Sequence, residues 1–531
     1  MIKIKLVVFF ILSNTLLFNA QNVSINALNV NQTMEGFGTS LRVFNDPHII
    51  GGTTSDPITA GLVISTAQED TILNLLYNEL GLTRVRPATG EDGSIEDPND
   101  NNDPDSTDLT QFDFSWKRMD AHIDYVSRVI PRGVDTYFPS TIKLESWMTT
   151  SNPEEYAEWA FNIIKRWKDQ GYELPYYSII NEPGYSRGGI WPGTYIRDCI
   201  KLLGPKLDTA GISTKIVIPD DLNANEAYTR SQIIMADTLA QKYVGALAYH
   251  LYGGSSANKT AMMQLGQQYN VPVWMTEYSR SNAFDWGNQI HDVIANYNVS
   301  AVDHMWGFFG EQETNGTQFI SLNFSGTNYT GYTINKQYYV TGQYSKYIQP
   351  GSQRIDATSS DIDVRVTAYK EGADIAIVVI NNDVNPKTVD FAINGMNLST
   401  LKAVRTSQTE NWTILPDITL ANDSFTTTLT ANSITTFYSE LTTSVQDVAD
   451  KSSSFIIYPN PFNDFAIVEL KESSDNWSWT LYNSFGQKVQ EIKKITNQRL
   501  IINKGDLPVG IYLYDIQVKD KLPMTGKLII K

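Results

Sequence analysis

The sequence predicts an α/β fold: a (β/α)8 TIM barrel with a β-sandwich side domain and a small all-β C-terminal module. Three observations support it. Residues 35–343 alternate short apolar runs with amphipathic helical patterns, residues 344–440 keep the apolar runs without helices, and residues 455–531 form a second all-β stretch. Eight β-then-α units in about 300 residues are typical of a barrel. An open doubly wound sheet fits less well, because no G-x-G-x-x-G turn follows the first strand.

Composition narrows the class of protein. The 531 residues carry 41 Lys and Arg against 58 Asp and Glu, a net charge of −17 at pH 7. This charge argues against nucleic acid as a partner. Cys199 is the single cysteine, which excludes a disulfide framework and a Cys-rich zinc site. No two of the five histidines have helical metal-ligand spacing, and we expect neither metal nor cofactor.

The N-terminus is predicted to be a signal peptide over residues 1–20. Lys3 and Lys5 precede an apolar run of 13 residues, 6–18, which is too short to span a bilayer. Cleavage after Ala20 would leave Gln21 first. The mature protein is therefore expected to be secreted, with a buried strand as the alternative interpretation of the run.

The barrel elements follow in order. Apolar runs predict eight strands, at residues 36–40, 83–86, 134–139, 176–180, 215–219, 246–250, 271–275 and 301–306. Between them lie amphipathic helices. The clearest, over residues 153–168, begins at Pro153 and repeats apolar residues with helical spacing.

The remaining segments are predicted to lack helices. Residues 21–34 are assigned as an N-terminal strand of the side domain, and residues 344–440 as the β-sandwich itself. Residues 441–454 contain few large apolar groups and are predicted to be a linker to the C-terminal module, residues 455–531.

Two glutamates stand where predicted strands end. Glu182 follows the fourth strand in the sequence Asn181-Glu182-Pro183, and Glu277 closes the seventh. They are 95 residues apart, about three βα units, which places them across the barrel mouth from each other. Two carboxylates in this position suit glycoside hydrolysis, in which one is a protonated acid and the other an ionised nucleophile. A pair of rim salt bridges is the alternative.

The ordered motifs are similar to those of glycoside hydrolase family 30. The matching segments are residues 34–38, 84–86, 146–148, 181–183, 250–253 and 274–277, and residues 344–350 resemble the start of the family's side domain. The resemblance covers roughly residues 23–440. It implies a retaining mechanism in which Glu277 is the nucleophile and Glu182 the acid/base.

The resemblance implies roles for further residues. Asn181 would bind the sugar 2-hydroxyl, and Tyr252 would orient the nucleophile. Arg84 and Arg86 share one face of their strand, and one of them is expected to hydrogen-bond the nucleophile. A pair of structural barrel arginines is the alternative. His250 either lines the same mouth or satisfies a bond in the core.

Aromatic residues near the strand ends are candidates for stacking on sugar rings. Trp147 and Trp306 are the preferred subsite residues, and Tyr185 is a further candidate. Trp191, Tyr278 and Phe308 also lie near strand ends, and ordinary packing accounts for them equally well.

Two departures bear on the substrate. The family's glucuronoxylan-specific xylanases carry a basic cluster after strand eight, whereas residues 306–312 read WGFFGEQ, with Glu311 and no arginine. Arg280 could substitute for it. Residues 91–108 are strongly acidic, which disfavours anionic substrates, although a solvated loop or a calcium site also fits. These features argue against dependence on a glucuronate branch.

The C-terminal module resembles the type A sorting domain of the Por (type IX) secretion system. The resemblance rests on residues 458–461, 486–487, 507–512 and a Lys-containing end at 526–531. It implies outer-membrane type IX secretion machinery as a partner, then release or surface anchoring. A carbohydrate-binding β-sandwich is the alternative.

The resulting prediction is a secreted or cell-surface retaining endo-β-glycanase acting on a plant or algal polysaccharide. An endo-β-1,4-xylanase is the best guess, because the motif order resembles the family's xylanase branch. A β-1,6-galactanase, a β-1,6-glucanase and a glucosylceramidase-like hydrolase stay open. A catalytically inactive surface glycan-binding protein is the alternative from another class.

Overall fold

The computed structural model describes residues 21–40, 64–89, 103, 117–142, 151–185, 190–279, 282–310, 317–439 and most of 455–530. The chain divides into two compact units, Met1–Ser439 and Glu440–Lys531. Several predictions lie outside the described residues: the signal peptide 1–20, nearly all of the acidic loop 91–108, Trp147, Arg280, Glu311 and the linker 441–454. Among the helices of the described part, none is long and apolar enough to cross a membrane.

Eight parallel strands form a closed barrel. In chain order, strand β1 (Gln21–Thr33) is followed by barrel strands β2 (Gly36–Ser40), β3 (Arg84–Arg86) continued by β4 (Ala88–Thr89), β5 (Thr136–Tyr137) continued by β6 (Ser140–Thr141), β7 (Tyr176–Ser178), β8 (Lys215–Asp221), β9 (Val244–His250), β10 (Val273–Glu277) and β11 (Val299–His304). Parallel ladders join each to the next, and β11 pairs with β2. All eight predicted strands overlap this set, which confirms the barrel.

Helices connect the barrel strands on the outside. They are α1 (Thr66–Leu73), α2 (Lys117–Val129), α3 (Pro153–Asp169), α4 (Gly193–Thr209), α5 (Ala224–Met235), α6 (Thr238–Tyr243), α7 (Ser256–Tyr269), α8 (Ala283–Tyr297) and α9 (Lys336–Ser345). Helix α3 matches its prediction closely. Pro153 occupies the first turn, where a missing N–H is tolerated, and Tyr156, Ile163 and Trp167 are buried on one face.

A small sheet after the last barrel strand was not predicted. Strands β12 (Phe308–Gly310), β13 (Ile320–Ser325) and β14 (Asn328–Ile334) precede α9, where the sequence pattern indicated only a βα connection. A two-residue turn joins β13 to β14, and Gly326 in it has φ +62°, a conformation that favours glycine.

The side domain is a sheet of nine strands that folds over on itself. Strands β15 (Gln353–Ser359), β16 (Val364–Glu371), β17 (Asp374–Asn381), β18 (Lys387–Asn394), β19 (Thr400–Ser407), β20 (Thr413–Thr419), β21 (Ser424–Leu429) and β22 (Ser433–Tyr438) make it up together with β1. Four strands lie between β18 and β22 in the sheet, yet Phe391 and Phe437 have ring centroids 5.4 Å apart. The strands therefore enclose a two-layered apolar core, and β1 lies between β15 and β18.

The C-terminal unit is all-β in its described part. It contains β23 (Phe455–Tyr458), β24 (Phe465–Leu470), β25 (Trp477–Tyr482), β26 (Lys488–Ile495), β27 (Arg499–Asn503), β28 (Gly510–Val518) and β29 (Met524–Ile530). These strands form a three-stranded and a four-stranded sheet. Trp477 and Trp479 are buried in its own apolar core.

Candidate active site

The carboxyl ends of the barrel strands bring five ionisable side chains together. Arg86 ends β3, His250 ends β9 and Glu277 ends β10, while Glu182 follows β7 and Asp220 lies near the end of β8. We call these five residues the upper cluster. Parallel strands of a barrel end at the same rim, which is where barrel enzymes build their active sites.

The two glutamates approach each other closely. One carboxylate oxygen of Glu182, one of Glu277 and a ring nitrogen of His250 all lie within 4.8 Å of one another. The glutamate side chains are 14% and 12% exposed, whereas those of His250 and Asp220 are fully buried. Within the upper cluster, the glutamates are therefore the acidic groups that a substrate in the mouth could touch.

The backbone at Glu182 turns sharply to deliver its side chain. Its φ is +48°, in the left-handed region that non-glycine residues rarely adopt. Two hydrogen bonds hold this turn: the Glu182 N–H donates to the Asp220 carbonyl at 2.9 Å, and the Tyr185 N–H donates to the Glu182 carbonyl at 2.7 Å. A strained backbone held in this way is common at functional sites.

Both oxygens of Glu277 accept hydrogen bonds. Arg86 Nη1 donates to Oε2 at 3.0 Å, and the Tyr252 hydroxyl donates to Oε1 at 3.1 Å. Burial and the nearby Glu277 charge raise the pKa of Tyr252 well above its usual range, so the hydroxyl keeps its proton. These two donors fix one orientation of the carboxylate. Arg86 is thus the arginine that reaches the predicted nucleophile.

Asp220 receives donors from several strands. Arg86 donates to its Oδ2 from Nη2 at 2.8 Å and Nε at 3.2 Å, and Ser178 donates to the same oxygen at 2.6 Å. Thr276 donates to Oδ1 at 2.5 Å, and His250 Nε2 lies 3.4 Å from Oδ1. Burial opposes the charge, but Arg86 and His250 outweigh it and hold the pKa of Asp220 well below its usual range.

His250 bridges the acidic groups. Its Nδ1 lies 2.9 Å from Glu182 Oε1 and 3.9 Å from Glu277 Oε1. Burial disfavours the charged ring, but Glu277, Asp220 and Glu182 outweigh burial and raise the pKa of His250 to about 10. The ring is therefore a second cation beside Arg86 at neutral pH.

Arg84 does not lie at the mouth, which corrects its assignment as a substrate-binding residue. Its Nε and Nη2 each donate to Asp303 at 3.1 Å, and its guanidinium carbon lies 4.1 Å from the centroid of the Trp274 ring. Arg84 and Asp303, which we call the lower ion pair, are both fully buried. Arg84 precedes Arg86 by two residues, about 7 Å along the strand, and so reaches a deeper layer of the barrel.

The remaining residues predicted from the sequence to bind substrate or stack on sugar rings differ in exposure and in contacts. Asn181 accepts from Arg86 Nη2 at 2.5 Å. Tyr185 is 74% exposed just after Glu182. Trp306 follows β11, has φ +67° and stacks on Phe309 with a centroid distance of 5.5 Å. Trp191, Tyr278 and Phe308 are buried and act as packing residues.

Asp220 was missed by sequence reasoning, although a signal was available. It directly follows the run predicted as the fifth strand, 215–219, which is the same kind of position that singled out the two glutamates. The adjacent Asp221 has a different partner, because its Oδ2 accepts from Arg230 Nη1 at 2.6 Å. From the sequence alone the two aspartates are equivalent.

Glu182, His250 and Glu277 form the group of described residues close enough to hold a metal ion. Their surroundings fit a metal poorly. Arg86 already places a positive charge 3.0 Å from Glu277, and a protonated His250 ring has no free lone pair to offer a metal. The arrangement suits proton transfer and nucleophilic attack by carboxylates better.

Family models match two parts of the chain. Residues 221–307 match the model described as glycosyl hydrolase catalytic core, a range that includes His250 and Glu277. Residues 456–531 match the model described as secretion system C-terminal sorting domain. The second match confirms the sorting module and indicates secreted or cell-surface localisation.

Curated proteins and a solved structure are similar to this chain, and the solved structure shares its fold. A glucuronoxylanase of Bacillus subtilis strain 168 is 25% identical over 289 residues, 53% of this chain and 65% of the relative's own length. An endo-1,6-β-D-glucanase of Aspergillus fumigatus is 22% identical over 262 residues, 45% of this chain and 50% of the relative. The crystal structure of a GH30 endoxylanase from Clostridium papyrosolvens covers 78% of this chain and 99% of its own, with 24% identity and a TM-score of 0.62.

Proposed function

We propose that this protein is a secreted retaining endo-β-glycanase in which Glu277 is the nucleophile and Glu182 the acid/base. One observation carries the proposal: oxygens of the two carboxylates lie within 4.8 Å of each other at the carboxyl ends of the barrel strands. Retaining glycosidases hold their carboxyl groups about 5–5.5 Å apart, whereas inverting ones leave about 6.5–9.5 Å for a water molecule. The catalytic-core match over residues 221–307 supports the same chemistry.

The first step forms a glycosyl ester on Glu277. Its carboxylate oxygen attacks the anomeric carbon, the bond from that carbon to the leaving oxygen breaks, and Glu182 transfers its proton to the leaving oxygen. Arg86 and Tyr252 hold the nucleophile at 3.0 and 3.1 Å while its charge moves into the new bond. His250, 2.9 Å from Glu182, then lies beside the carboxylate that the transfer leaves ionised.

The second step uses the same groups in reverse. Ionised Glu182 takes a proton from water, and the water oxygen attacks the anomeric carbon and breaks its bond to Glu277. Asn181 is oriented for a part in both steps. Its Oδ1 accepts from Arg86 Nη2, so its amide NH2 is the group left to donate to the sugar 2-hydroxyl.

An endo-β-1,4-xylanase is the favoured activity, because the Bacillus and Clostridium relatives are named as a glucuronoxylanase and an endoxylanase. A β-1,6-glucanase is the second candidate, favoured by the Aspergillus relative. A β-1,6-galactanase and a glucosylceramidase-like hydrolase come after them. We expect plain xylan to be sufficient, since residues 306–312 contain no arginine for a glucuronate branch.

The route out of the cell belongs to the same proposal. The sorting-domain match at residues 456–531 supports delivery by type IX secretion machinery in the outer membrane. A polysaccharide substrate outside the cell is consistent with this route, because such polymers are too large to enter before they are cut.

A panel of four polymers tests the activity: plain xylan, glucuronoxylan, β-1,6-galactan and β-1,6-glucan, with products separated by size. A ladder of xylo-oligosaccharides from plain xylan is the expected result. Release from a β-1,6-linked polymer alone would keep the mechanism and replace the substrate. No release from any of the four, together with binding to one of them, would favour the inactive glycan-binding alternative. Glu277→Gln is the matched control, because it removes the nucleophilic charge and keeps the side-chain shape.

A further inference from the structure

Asp220 is the acidic member of the upper cluster to which the proposed mechanism gives no chemical step. It is fully buried, and the charged groups that its carboxylate contacts are Arg86 and His250. It does touch the partner of each glutamate. Arg86, which binds Asp220 at 2.8 Å, also donates to Glu277, and His250, 3.4 Å from Asp220, also contacts Glu182.

We propose that Asp220 is a positioning residue that holds Arg86 toward the nucleophile and His250 toward the acid/base. This inference rests on the proposed function, because it assigns those roles to Glu277 and Glu182. The two oxygens of the Asp220 carboxylate contact different cations. Oδ2 accepts the hydrogen bonds from Arg86, and Oδ1 faces His250. A single side chain thereby sets the position of both cations between three carboxylates.

The carboxylate is itself locked in place by hydroxyl donors. Ser178 at 2.6 Å and Ser140 at 3.2 Å donate to Oδ2, and Thr276 donates to Oδ1 at 2.5 Å. These donors come from β7, β6 and β10, so three other barrel strands fix the rotation of the carboxylate. A carboxylate needed only to neutralise Arg86 would not require donors on both oxygens.

Asp303 supplies a matched control. It is a fully buried aspartate in the same barrel, bound to an arginine of the same strand by two hydrogen bonds of 3.1 Å. Its hydrogen-bond partner is Arg84, which lies in the deeper layer. Asp303→Asn thus measures the effect of breaking a buried ion pair in the barrel. Any further loss in Asp220→Asn then measures the effect on the catalytic groups.

Two readouts on the full mature chain test the inference. On the polymer that the wild type cleaves, Asp220→Asn should lower kcat about 100-fold with KM changed less than threefold, since small displacements of catalytic groups have effects of this size. Asp303→Asn should keep kcat within threefold. In histidine NMR titrations, Asp220→Asn should lower the pKa of His250, because one of three facing carboxylates loses its charge, while Arg86 keeps its positive charge and Tyr252 its proton. Asp303→Asn should leave that pKa in place.

Equal kcat in Asp220→Asn and wild type, or equal losses in the two variants, would overturn the inference. If the wild type cleaves no polymer, the proposed function fails and the His250 titration alone decides; an unmoved pKa in Asp220→Asn would then overturn the positioning role. If Asp220→Asn does not fold, Ser178→Ala replaces it. Removing that 2.6 Å donor should lower kcat several-fold, and unchanged kcat with an unchanged His250 titration would contradict the inference.

Discussion

The lower ion pair and the upper cluster each contain an arginine of strand β3, and the two arginines make different contacts. Arg84 and Arg86 are two residues apart on β3, both buried, and both bound to an aspartate from another strand. Arg84 donates two hydrogen bonds to Asp303, and its guanidinium lies over the Trp274 ring. Arg86 divides its donors among Asp220, Glu277, Asn181 and Ser140.

The difference lies in how many carboxylates each arginine contacts. In the lower ion pair Arg84 hydrogen-bonds one carboxylate, that of Asp303. In the upper cluster Arg86 and His250 face three carboxylates, those of Glu182, Asp220 and Glu277. An excess of carboxylate at a rim open to substrate leaves one group able to hold a proton and another able to attack carbon. Burial and residue type alone would not distinguish the two layers.

The largest effect should come from Glu277→Gln. The amide keeps the shape of the side chain but cannot form the glycosyl ester, so kcat should fall by at least about 10⁴-fold. Reducing-end release from the polymer measures the loss, and circular dichroism checks the fold. A variant that keeps a tenth of wild-type turnover would show that the nucleophile lies elsewhere.

Glu182→Gln should have the next largest effect, and one that depends on the leaving group. Loss of general acid catalysis should lower kcat on the natural polymer by about 10²–10⁴-fold. An aryl glycoside with an acidic phenol needs no proton to depart, so its first step should recover most of the rate. Pre-steady-state release of the phenol measures that step. Equal losses on both substrates would contradict an acid role.

The two arginines allow a direct test of the comparison. Arg86→Lys should lower kcat/KM about 100-fold, because lysine does not reproduce the fork that binds Asp220 and Glu277 together. Arg84→Lys should keep kcat/KM within threefold and lower the free energy of unfolding by roughly 1–3 kcal/mol. Kinetics and urea unfolding on both variants measure this. Equal kinetic losses would place Arg84 in the active site after all.

The last prediction concerns stability rather than catalysis, through its dependence on pH. The pKa of His250 is about 10 in the folded protein, above its unfolded value of about 6.5. Its contribution to stability should therefore be complete below pH 6.5 and be lost as pH rises through 10. Urea unfolding at pH 6.5, 8 and 9.5 should show a decline in the wild type that is weaker in His250→Gln. Parallel declines would contradict the raised pKa.

The sequence was enough to predict the barrel and the two glutamates, because both follow from strand periodicity. Apolar runs located all eight strands, and their ends located Glu182 and Glu277. Depth inside the barrel was not readable: Arg84 and Arg86 share a strand face, and only the contacts with Asp303 and Asp220 separate them. Asp220 was missed because its role depends on contacts with residues from other strands, which no local pattern records. The β12–β14 sheet was missed because a turn at Gly326 interrupts the expected βα connection.

The anomeric configuration of the first product tests the central claim most directly. Proton NMR of the polymer digest in its first minutes distinguishes the two anomers before mutarotation mixes them. A product that keeps the configuration of the cleaved bond is predicted, because the Glu182 and Glu277 oxygens lie within 4.8 Å, well below the separation of about 6.5–9.5 Å at which inverting enzymes hold their carboxyl groups. A product of inverted configuration would contradict the assignment of Glu277 as the nucleophile.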